Sequence, residues 1–158
     1  MSSITEARFR NPKRIYLDTC CLNRPFDDLT QDRVRMEAEA VLTILKQVTG
    51  GAHVLVSSDA VEIEIAQDPD TERASMVLSS ADTASIHVAF DENIQERAHV
   101  LENANIYGYD ALHLACAEVA KVDVFFKTDD DLIKSYRKVT PKPKMPMINP
   151  LAWISEVL

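Results

Sequence analysis

Hydrophobic positions along this chain fall into two kinds of segment that alternate from one end to the other. Short runs of β-branched and aromatic residues, typical of buried strands, are separated by longer stretches in which apolar residues recur every three or four positions, as on one face of a helix. Strands that alternate with helices are typical of an α/β fold whose parallel sheet is covered on both faces. Strands are predicted over residues 14–18, 53–56, 86–90 and 122–126, with a brief fifth strand over 147–148.

The helical segments are bounded by residues that commonly begin or end helices. Gly50-Gly51 ends the first long segment, and Ser57-Ser58-Asp59 can cap the second, which stops at Asp68-Pro69. The stretch over 110–118 is apolar on nearly every side and follows a predicted break at Gly108-Tyr109, so we expect it to be a buried helix. Predicted helices cover residues 32–47, 60–66, 71–80, 92–104, 110–118, 131–137 and 150–158, and residues 23–28 form a predicted loop.

Length and composition indicate one globular domain. The 158 residues are expected to fold as a single domain over 1–158, with 1–13 as a polar lead-in. The apolar fraction of 46% and the charged fraction of 27% are near the averages for soluble proteins. No apolar run approaches the roughly 20 residues that a bilayer crossing needs, and the lead-in lacks the apolar core of a signal peptide. We therefore expect a cytoplasmic protein that does not bind membranes.

The cysteines and histidines argue against a zinc site. Cys20, Cys21 and Cys116 include no CxxC pair, and the four histidines show no HExxH spacing. Reduced thiols are the simplest interpretation, and we expect Cys20 and Cys21 to be buried. We expect His113 to be a core or interface histidine rather than a catalytic one. Core positions are also expected for Leu112, Leu114 and Trp153.

Four acidic residues stand where a parallel sheet gathers its ligands, beyond the carboxyl ends of the strands. Asp18 ends the first strand, and Asp129 follows the fourth. Asp110 begins the buried helix, and Glu64 lies in the helix after the second strand. Taken one at a time, each acid has a structural explanation as a turn residue, a helix cap or a solvated carboxylate. Their coincidence in one crevice favours a site for Mg²⁺ or Mn²⁺, which prefer carboxylate oxygens and can activate water for phosphodiester hydrolysis.

Four segments of the chain, taken in order, carry a family resemblance. They are Ile15-Tyr-Leu-Asp18-Thr, Ser58 with Glu64 six positions later, Gly108-Tyr-Asp110-Ala-Leu-His-Leu-Ala, and Phe126-Lys-Thr-Asp129-Asp-Asp-Leu. Together they resemble the PIN-domain family over about residues 14–150. The resemblance implies a three-layer α/β/α sandwich with a four- to five-stranded parallel sheet. It also implies Mg²⁺- or Mn²⁺-dependent endoribonuclease activity, as in the VapC-type toxins of bacterial toxin–antitoxin pairs, with RNA as substrate and a small antitoxin and a second copy of the chain as partners.

The same resemblance implies roles for individual side chains. The catalytic, metal-binding acids would be Asp18, Glu64, Asp110 and Asp129. Asp131 would be a supplementary or substitute fourth acid. Glu62 is an alternative to Glu64, but the two positions face about 200° apart on a helix, so only one of them can point inward, and the motif spacing favours Glu64. The residues that position water or phosphate would be Thr19, Asn23 and Thr128.

The negative charge of the chain is at odds with RNA binding. The formal net charge is −8 and the isoelectric point is near 4.9, whereas proteins that hold nucleic acids through phosphates need basic surfaces. Two bound divalent ions would reduce the net charge to about −4. The remaining attraction would come from the basic segments 8–14 or 134–144, or from a substrate bound mainly through metal and shape.

Two other functions fit the same acids. One is an acidic-site phosphatase, but no second Asp stands two residues after Asp18, and the sequence indicates no well-placed lysine beside the carboxylates. The other is a PIN-like module that binds RNA or protein after losing its activity. The inactive module ranks low among these functions because all four acids are present.

Overall fold

Five parallel strands form the central sheet of the protein in this computed structural model, which describes residues 13–139 and 142–157. The strands are β1 (Lys13–Leu17), β2 (His53–Ser58), β3 (Ile86–Val88), β4 (Val124–Phe126) and β5 (Met147–Ile148). They lie in the order β3-β2-β1-β4-β5. Ile15, Tyr16 and Leu17 of β1 are all buried although neighbouring residues of a strand point to opposite faces, so both faces of this strand are covered. The predicted α/β class with a parallel sheet is confirmed.

Helices connect the strands and pack in two groups. They are α1 (Thr19–Asn23), α2 (Asp32–Thr49), α3 (Asp59–Ala66), α4 (Thr71–Ala81), α5 (Glu92–Glu102), α6 (Gly108–Val119), α7 (Asp130–Arg137) and α8 (Pro150–Val157). Helix α2 packs against α8, whereas α6 packs against α3 and α5. The helices predicted from apolar periodicity are present, with small shifts at their ends.

Two segments differ from the prediction, and both border the acids of interest. No helix was predicted directly after Asp18, and the predicted loop began at Asn23, but the chain there forms α1 and then a 3-10 turn over Arg24–Phe26. A helix of five residues is too short for a 3.6-residue period to show. Gly108, predicted to break the chain, begins α6 with a φ of 59°, a left-handed conformation that glycine adopts readily. Asp110 therefore lies inside the first turn of α6.

The buried carboxylate of Glu37 on α2 joins three parts of the chain. Its oxygens accept hydrogen bonds from Arg24 Nε at 3.0 Å, from Arg33 Nε at 3.2 Å and from Asn149 Nδ2 at 2.5 Å. Arg33 also donates to both carboxylate oxygens of Asp130, at 3.1 and 3.0 Å. Because a buried charge must be paired, this network fixes the start of α7 against α2.

A second buried carboxylate, Glu118 on α6, connects α5 and α7. Arg97 donates to its two oxygens at 2.6 and 3.1 Å, and the Tyr136 hydroxyl donates at 2.8 Å. Burial and the charge of Glu118 raise the pKa of Tyr136. Like the first network, this one is part of the framework around the sheet.

The cysteines are free thiols, and one of them departs from its prediction. Cys21 and Cys116 are buried, but Cys20 is exposed, so the expected burial of Cys20 is wrong. Neighbouring residues on a helix point about 100° apart, and the Cys21 thiol is directed at the carbonyl of Phe126. Leu114 is in the core, and Leu112 and Trp153 are partly buried against it. In the described ranges, no helix has the length and apolar character to cross a membrane.

Candidate active site

The carboxylates of Asp18 and Asp110 meet at the carboxyl end of the sheet, with the side chain of Lys127 between them. Lys127 Nζ donates to Asp18 Oδ2 at 2.5 Å and to Asp110 Oδ1 at 2.9 Å. The register of the sheet explains the first contact, because Leu17 of β1 pairs with Phe126 of β4 and the next residue on each strand lies beside the other. Asp110 reaches the same ammonium from the first turn of α6. Two acids that are distant in sequence thus share one cation.

Asp18 also has a structural role. It is almost completely buried, and its Oδ1 accepts a hydrogen bond from the backbone N–H of Cys21 at 3.0 Å, which caps the N-terminus of α1. One carboxylate oxygen therefore caps a helix while the other contacts Lys127. The structural explanation of Asp18 as a cap is confirmed, and its role as a metal ligand stays a prediction.

Lys127 is buried and charged. Burial alone would lower the pKa of its ammonium, but the charges of Asp18 and Asp110 outweigh that effect, so the pKa is raised above its usual value. The expectation that no well-placed lysine accompanies the carboxylates is therefore wrong. The sequence did not reveal the pairing because it depends on the register between β1 and β4.

A chain of buried hydrogen bonds holds Glu64 in place. Glu64 Oε1 lies 2.8 Å from His113 Nε2, and because a carboxylate can only accept, Nε2 carries the proton. In the neutral ring Nδ1 then accepts from the Tyr16 hydroxyl, at 2.6 Å. The Tyr16 oxygen in turn lies 2.7 Å from Ser58 Oγ, which can donate to it. These hydrogen bonds connect the end of β2 with β1, then with α6, which carries His113, and finally with α3.

His113 is therefore part of the site, which the sequence analysis did not predict. The expectation of a core histidine describes its burial but not its contact with Glu64. His113 also lies 3.5 Å from Thr19 Oγ1. The signal that could have identified it is its position three residues after Asp110, which puts both side chains on one face of α6.

The two glutamates of α3 point in different directions. Desolvation acts to raise the pKa of Glu64, but its hydrogen bond with His113 and the charge of Lys127 outweigh this, and the net pKa lies below its usual value. Glu62 is turned toward β3, where its Oε1 lies 3.8 Å from His87 Nδ1. Glu64 is thus the glutamate on the side of Asp18.

Burial and nearby carboxylates raise the pKa of the Cys20 thiol. Desolvation by neighbouring atoms and the charge of Asp18 raise the pKa of Cys20 to about 11, and Glu64 and Asp110 raise it further. All three carboxylates are therefore close enough to act on this thiol. At neutral pH Cys20 stays protonated and is a poor nucleophile.

A cavity of about 230 Å³ opens beside Glu64. Thr19 and Asn23 line it from α1, and Arg73 lines it from α4. Two of the residues predicted to position water or phosphate thus share a cavity with one of the predicted acids.

The acids that follow β4 are engaged at the start of α7. Asp129 Oδ1 accepts from the backbone N–H groups of Asp131 at 2.9 Å and Leu132 at 3.2 Å, and so caps the helix. Asp131 is exposed, and the Thr128 carbonyl accepts from Arg33 Nη2 at 3.5 Å. In the part of the chain that the structure describes, no three of the predicted acids offer oxygens that all lie within 4.8 Å of one another. The structure therefore joins Asp18 and Asp110 closely, with Glu64 nearby, and holds Asp129 as a helix cap.

A group that the sequence did not indicate lies on the other side of α3. Asp59, Glu62 and His87 offer three ligand atoms within 4.8 Å of one another, a spacing that could hold a metal ion. Asp59 already accepts from His87 Nε2 at 2.7 Å and from the backbone N–H of Phe90 at 2.8 Å. The first of these hydrogen bonds holds Asp59 and His87 together, and Glu62 lies farther away, with its Oε1 3.8 Å from His87 Nδ1.

Comparison with known proteins bears on the fold. The sequence matches no protein-family profile and no curated protein. The structure is similar to a chain in the crystal structure of VapBC2 from Rickettsia felis bound to a DNA fragment from their promoter, with a TM-score of 0.53 and 13% sequence identity. The match covers 86% of this chain and 98% of that chain. This chain therefore shares its α/β fold with that chain of the VapBC2 structure.

Proposed function

We propose that this chain is a Mg²⁺- or Mn²⁺-dependent endoribonuclease that hydrolyses RNA phosphodiester bonds, and that it is the toxin of a toxin–antitoxin pair. The observation that carries the proposal is the meeting of the Asp18 and Asp110 carboxylates near Glu64, at the carboxyl end of a parallel sheet. Ligands of α/β proteins bind at this edge. The fold similarity to VapBC2 and the resemblance of the sequence to PIN domains support the proposal.

The donor atoms at this point suit a hard divalent cation. Asp18 Oδ2 and Asp110 Oδ1 face a common cation, the ammonium of Lys127, and carboxylate oxygens are the ligands that Mg²⁺ and Mn²⁺ prefer. We assign Asp18, Asp110 and Glu64 as ligands, with Asp129 or Asp131 as a further acid. When bound, a divalent ion supplies the activation of water and the neutralisation of phosphate charge.

The remaining residues would orient Glu64 and bind phosphate. The hydrogen bond from His113 fixes the Glu64 carboxylate, and the Tyr16–Ser58 pair behind it fixes the imidazole. The Thr19 hydroxyl and the Asn23 amide share the cavity beside Glu64 and can donate to phosphate oxygens. We assign Thr128, in the loop after β4, the same positioning role.

Part of the basic charge indicated by the sequence lies away from this edge. Arg14 stands at the start of β1, at the far end of the strand from the acids, and its Nη1 donates to a backbone carbonyl at 3.0 Å. Residues 8–12 lie outside the described part. Lys144 lies in the connector before β5, whereas Lys134 and Arg137 are on α7, which follows the carboxyl end of β4. Because Arg73 is the basic residue that lines the cavity, we expect RNA to bind mainly through the metal, with weaker salt dependence than a basic nuclease shows.

Cleavage of single-stranded RNA in the presence of MnCl₂ tests the proposal. Wild-type protein should cleave a fluorescent oligoribonucleotide, and Asp110→Asn should reduce the rate about 100-fold or more, since even a residue that only orients a metal ligand contributes about 10- to 100-fold. Asp82→Asn is the matched control, because Asp82 is exposed at the end of α4. Equal rates for the two variants would refute the assignment of Asp110.

The same assay separates the alternatives. Lys127 removes one objection to a phosphatase, but the other stands, because Cys20 occupies the position two residues after Asp18. Hydrolysis of p-nitrophenyl phosphate with RNA left intact would favour a phosphatase. RNA binding without cleavage, together with no Mn²⁺ binding in calorimetry, would favour an inactive binding module.

Partners follow from the proposed function. We propose a small antitoxin protein and a second copy of this chain as partners. Met36 and Leu42 on α2 expose large apolar side chains that an interface between two copies could cover. Light scattering after size-exclusion chromatography should give the mass of a dimer, and a monomer at micromolar concentration would contradict this part of the proposal.

A further inference from the structure

Lys127 fills the point at which a cation shared by Asp18 and Asp110 would lie. Its Nζ is 2.5 Å from Asp18 Oδ2 and 2.9 Å from Asp110 Oδ1, and the lysine is 4% exposed. The position follows from the fold, because Lys127 continues β4 at the end where Asp18 continues β1. In the absence of metal, the ammonium is therefore part of this edge of the sheet.

This ammonium accounts for the close approach of the acids. Two carboxylates facing one point repel each other, and a positive charge between them removes most of that repulsion. Asp18 is 1% exposed, so water screens its charge poorly and the contribution of the lysine is correspondingly large. The metal-free protein thus needs no divalent ion to keep these acids together.

We propose that Lys127 is an internal competitor of the divalent ion, which binds Asp18 and Asp110 only when the ammonium withdraws. This inference rests on the proposed function, since it takes the same carboxylates as metal ligands. An ion about 2.0–2.2 Å from both oxygens would occupy the space that Nζ fills, and two positive charges at that separation repel strongly. Rotation about the flexible four-carbon stem of the lysine is the proposed route of withdrawal.

The consequence is a divalent site of reduced affinity on a protein that is stable without metal. The ion must replace an existing ion pair instead of entering a vacant cluster of negative charge. Removal of the lysine charge should therefore strengthen metal binding and make the stability of the protein depend on metal. Both effects can be measured without any assay of catalysis.

Calorimetric titration with MnCl₂ tests the competition. Lys127→Met should bind Mn²⁺ about tenfold or more tightly than wild type, because the competing charge is gone. Lys46→Met is the matched control, since Lys46 is exposed in the last turn of α2, and it should bind as wild type does. Adding Asp110→Asn to Lys127→Met should abolish the gain. In thermal unfolding, Mn²⁺ should raise the Tm of Lys127→Met more than that of wild type.

The Mn²⁺ affinities of the two proteins distinguish competition by Lys127 from the proposed nuclease function. Equal or weaker Mn²⁺ binding by Lys127→Met, with clear binding by wild type, would overturn the competition and leave the metal-dependent nuclease standing. No Mn²⁺ binding by either protein would overturn both. Should Lys127→Met fail to fold, Lys127→Gln, which keeps a donor for the carboxylates but not the charge, decides by the same comparison of affinities.

Discussion

Removal of the Tyr16 hydroxyl, by Tyr16→Phe, should destabilise the protein by breaking the hydrogen-bond chain behind Glu64. The hydroxyl contacts His113 Nδ1 at 2.6 Å and Ser58 Oγ at 2.7 Å, and Tyr16 is fully buried. The ring itself would stay stacked on Phe125, with centroids 5.1 Å apart, so the substitution opens no large cavity. The loss is therefore that of buried polar groups left without partners, which costs about 1–3 kcal/mol.

Denaturation by urea at pH 7, followed by circular dichroism, measures this loss. For a chain of this size, about 2 kcal/mol corresponds to a decrease in Tm of roughly 4–8 °C. Tyr107→Phe is the matched control, because the Tyr107 hydroxyl donates to Asn105 on an exposed surface and its removal should change the free energy of unfolding by less than about 0.5 kcal/mol. A loss for Tyr16→Phe as small as that for Tyr107→Phe would refute the chain of hydrogen bonds.

Three further predictions concern buried and shielded groups. Glu118→Ala should reduce the free energy of unfolding by about 3 kcal/mol, because the Arg97 guanidinium is left partly buried without its partner. Urea denaturation measures this loss, and a loss near zero contradicts the prediction. The pKa of Glu64 is lowered on folding, so its ionised form should stabilise the metal-free protein above the usual pKa near 4.5. The excess free energy of unfolding of wild type over Glu64→Gln should therefore vanish as the pH falls below that value. An unchanged excess at low pH contradicts the assignment. Cys20 is exposed, but its pKa of about 11 leaves about 100-fold less thiolate than an ordinary cysteine has, so iodoacetamide should label it slowly at pH 7.5 in mass spectrometry. Labelling as fast as that of glutathione would contradict the raised pKa.

Much of the framework could be predicted from local pattern. The run Ile15-Tyr16-Leu17 is a short β-branched and aromatic segment, and it forms the central strand with both faces covered. The apolar helix that carries Asp110 was predicted to be buried, and it is. Because the strands are parallel, their carboxyl ends share one edge, and this was enough to predict that Asp18 and Asp110 lie close together.

What could not be predicted depends on register and on competing roles of one side chain. Lys127 contacts Asp18 because of the pairing of Leu17 with Phe126, which no local pattern encodes. Asp129 could be a ligand or a helix cap, and the backbone N–H groups at the start of α7 engage its carboxylate. A cap and a metal site each favour Asp at such a position, so the sequence left the structural role open beside the predicted one.

The electrostatic expectation from the sequence needs one correction. The sequence analysis attributed the convergence of these distant acids to a site for Mg²⁺ or Mn²⁺. In the structure an internal ammonium, that of Lys127, lies between Asp18 and Asp110. The metal ion is therefore proposed for the chemistry, because the ammonium of Lys127 already neutralises part of the negative charge of these acids.

Anomalous diffraction from crystals soaked in MnCl₂ tests the metal site most directly. We expect a manganese peak between the carboxylates of Asp18 and Asp110, with the Lys127 side chain moved away from its present contacts. A peak confined to Asp59, Glu62 and His87, with Lys127 still bound to both aspartates, would contradict the proposed centre.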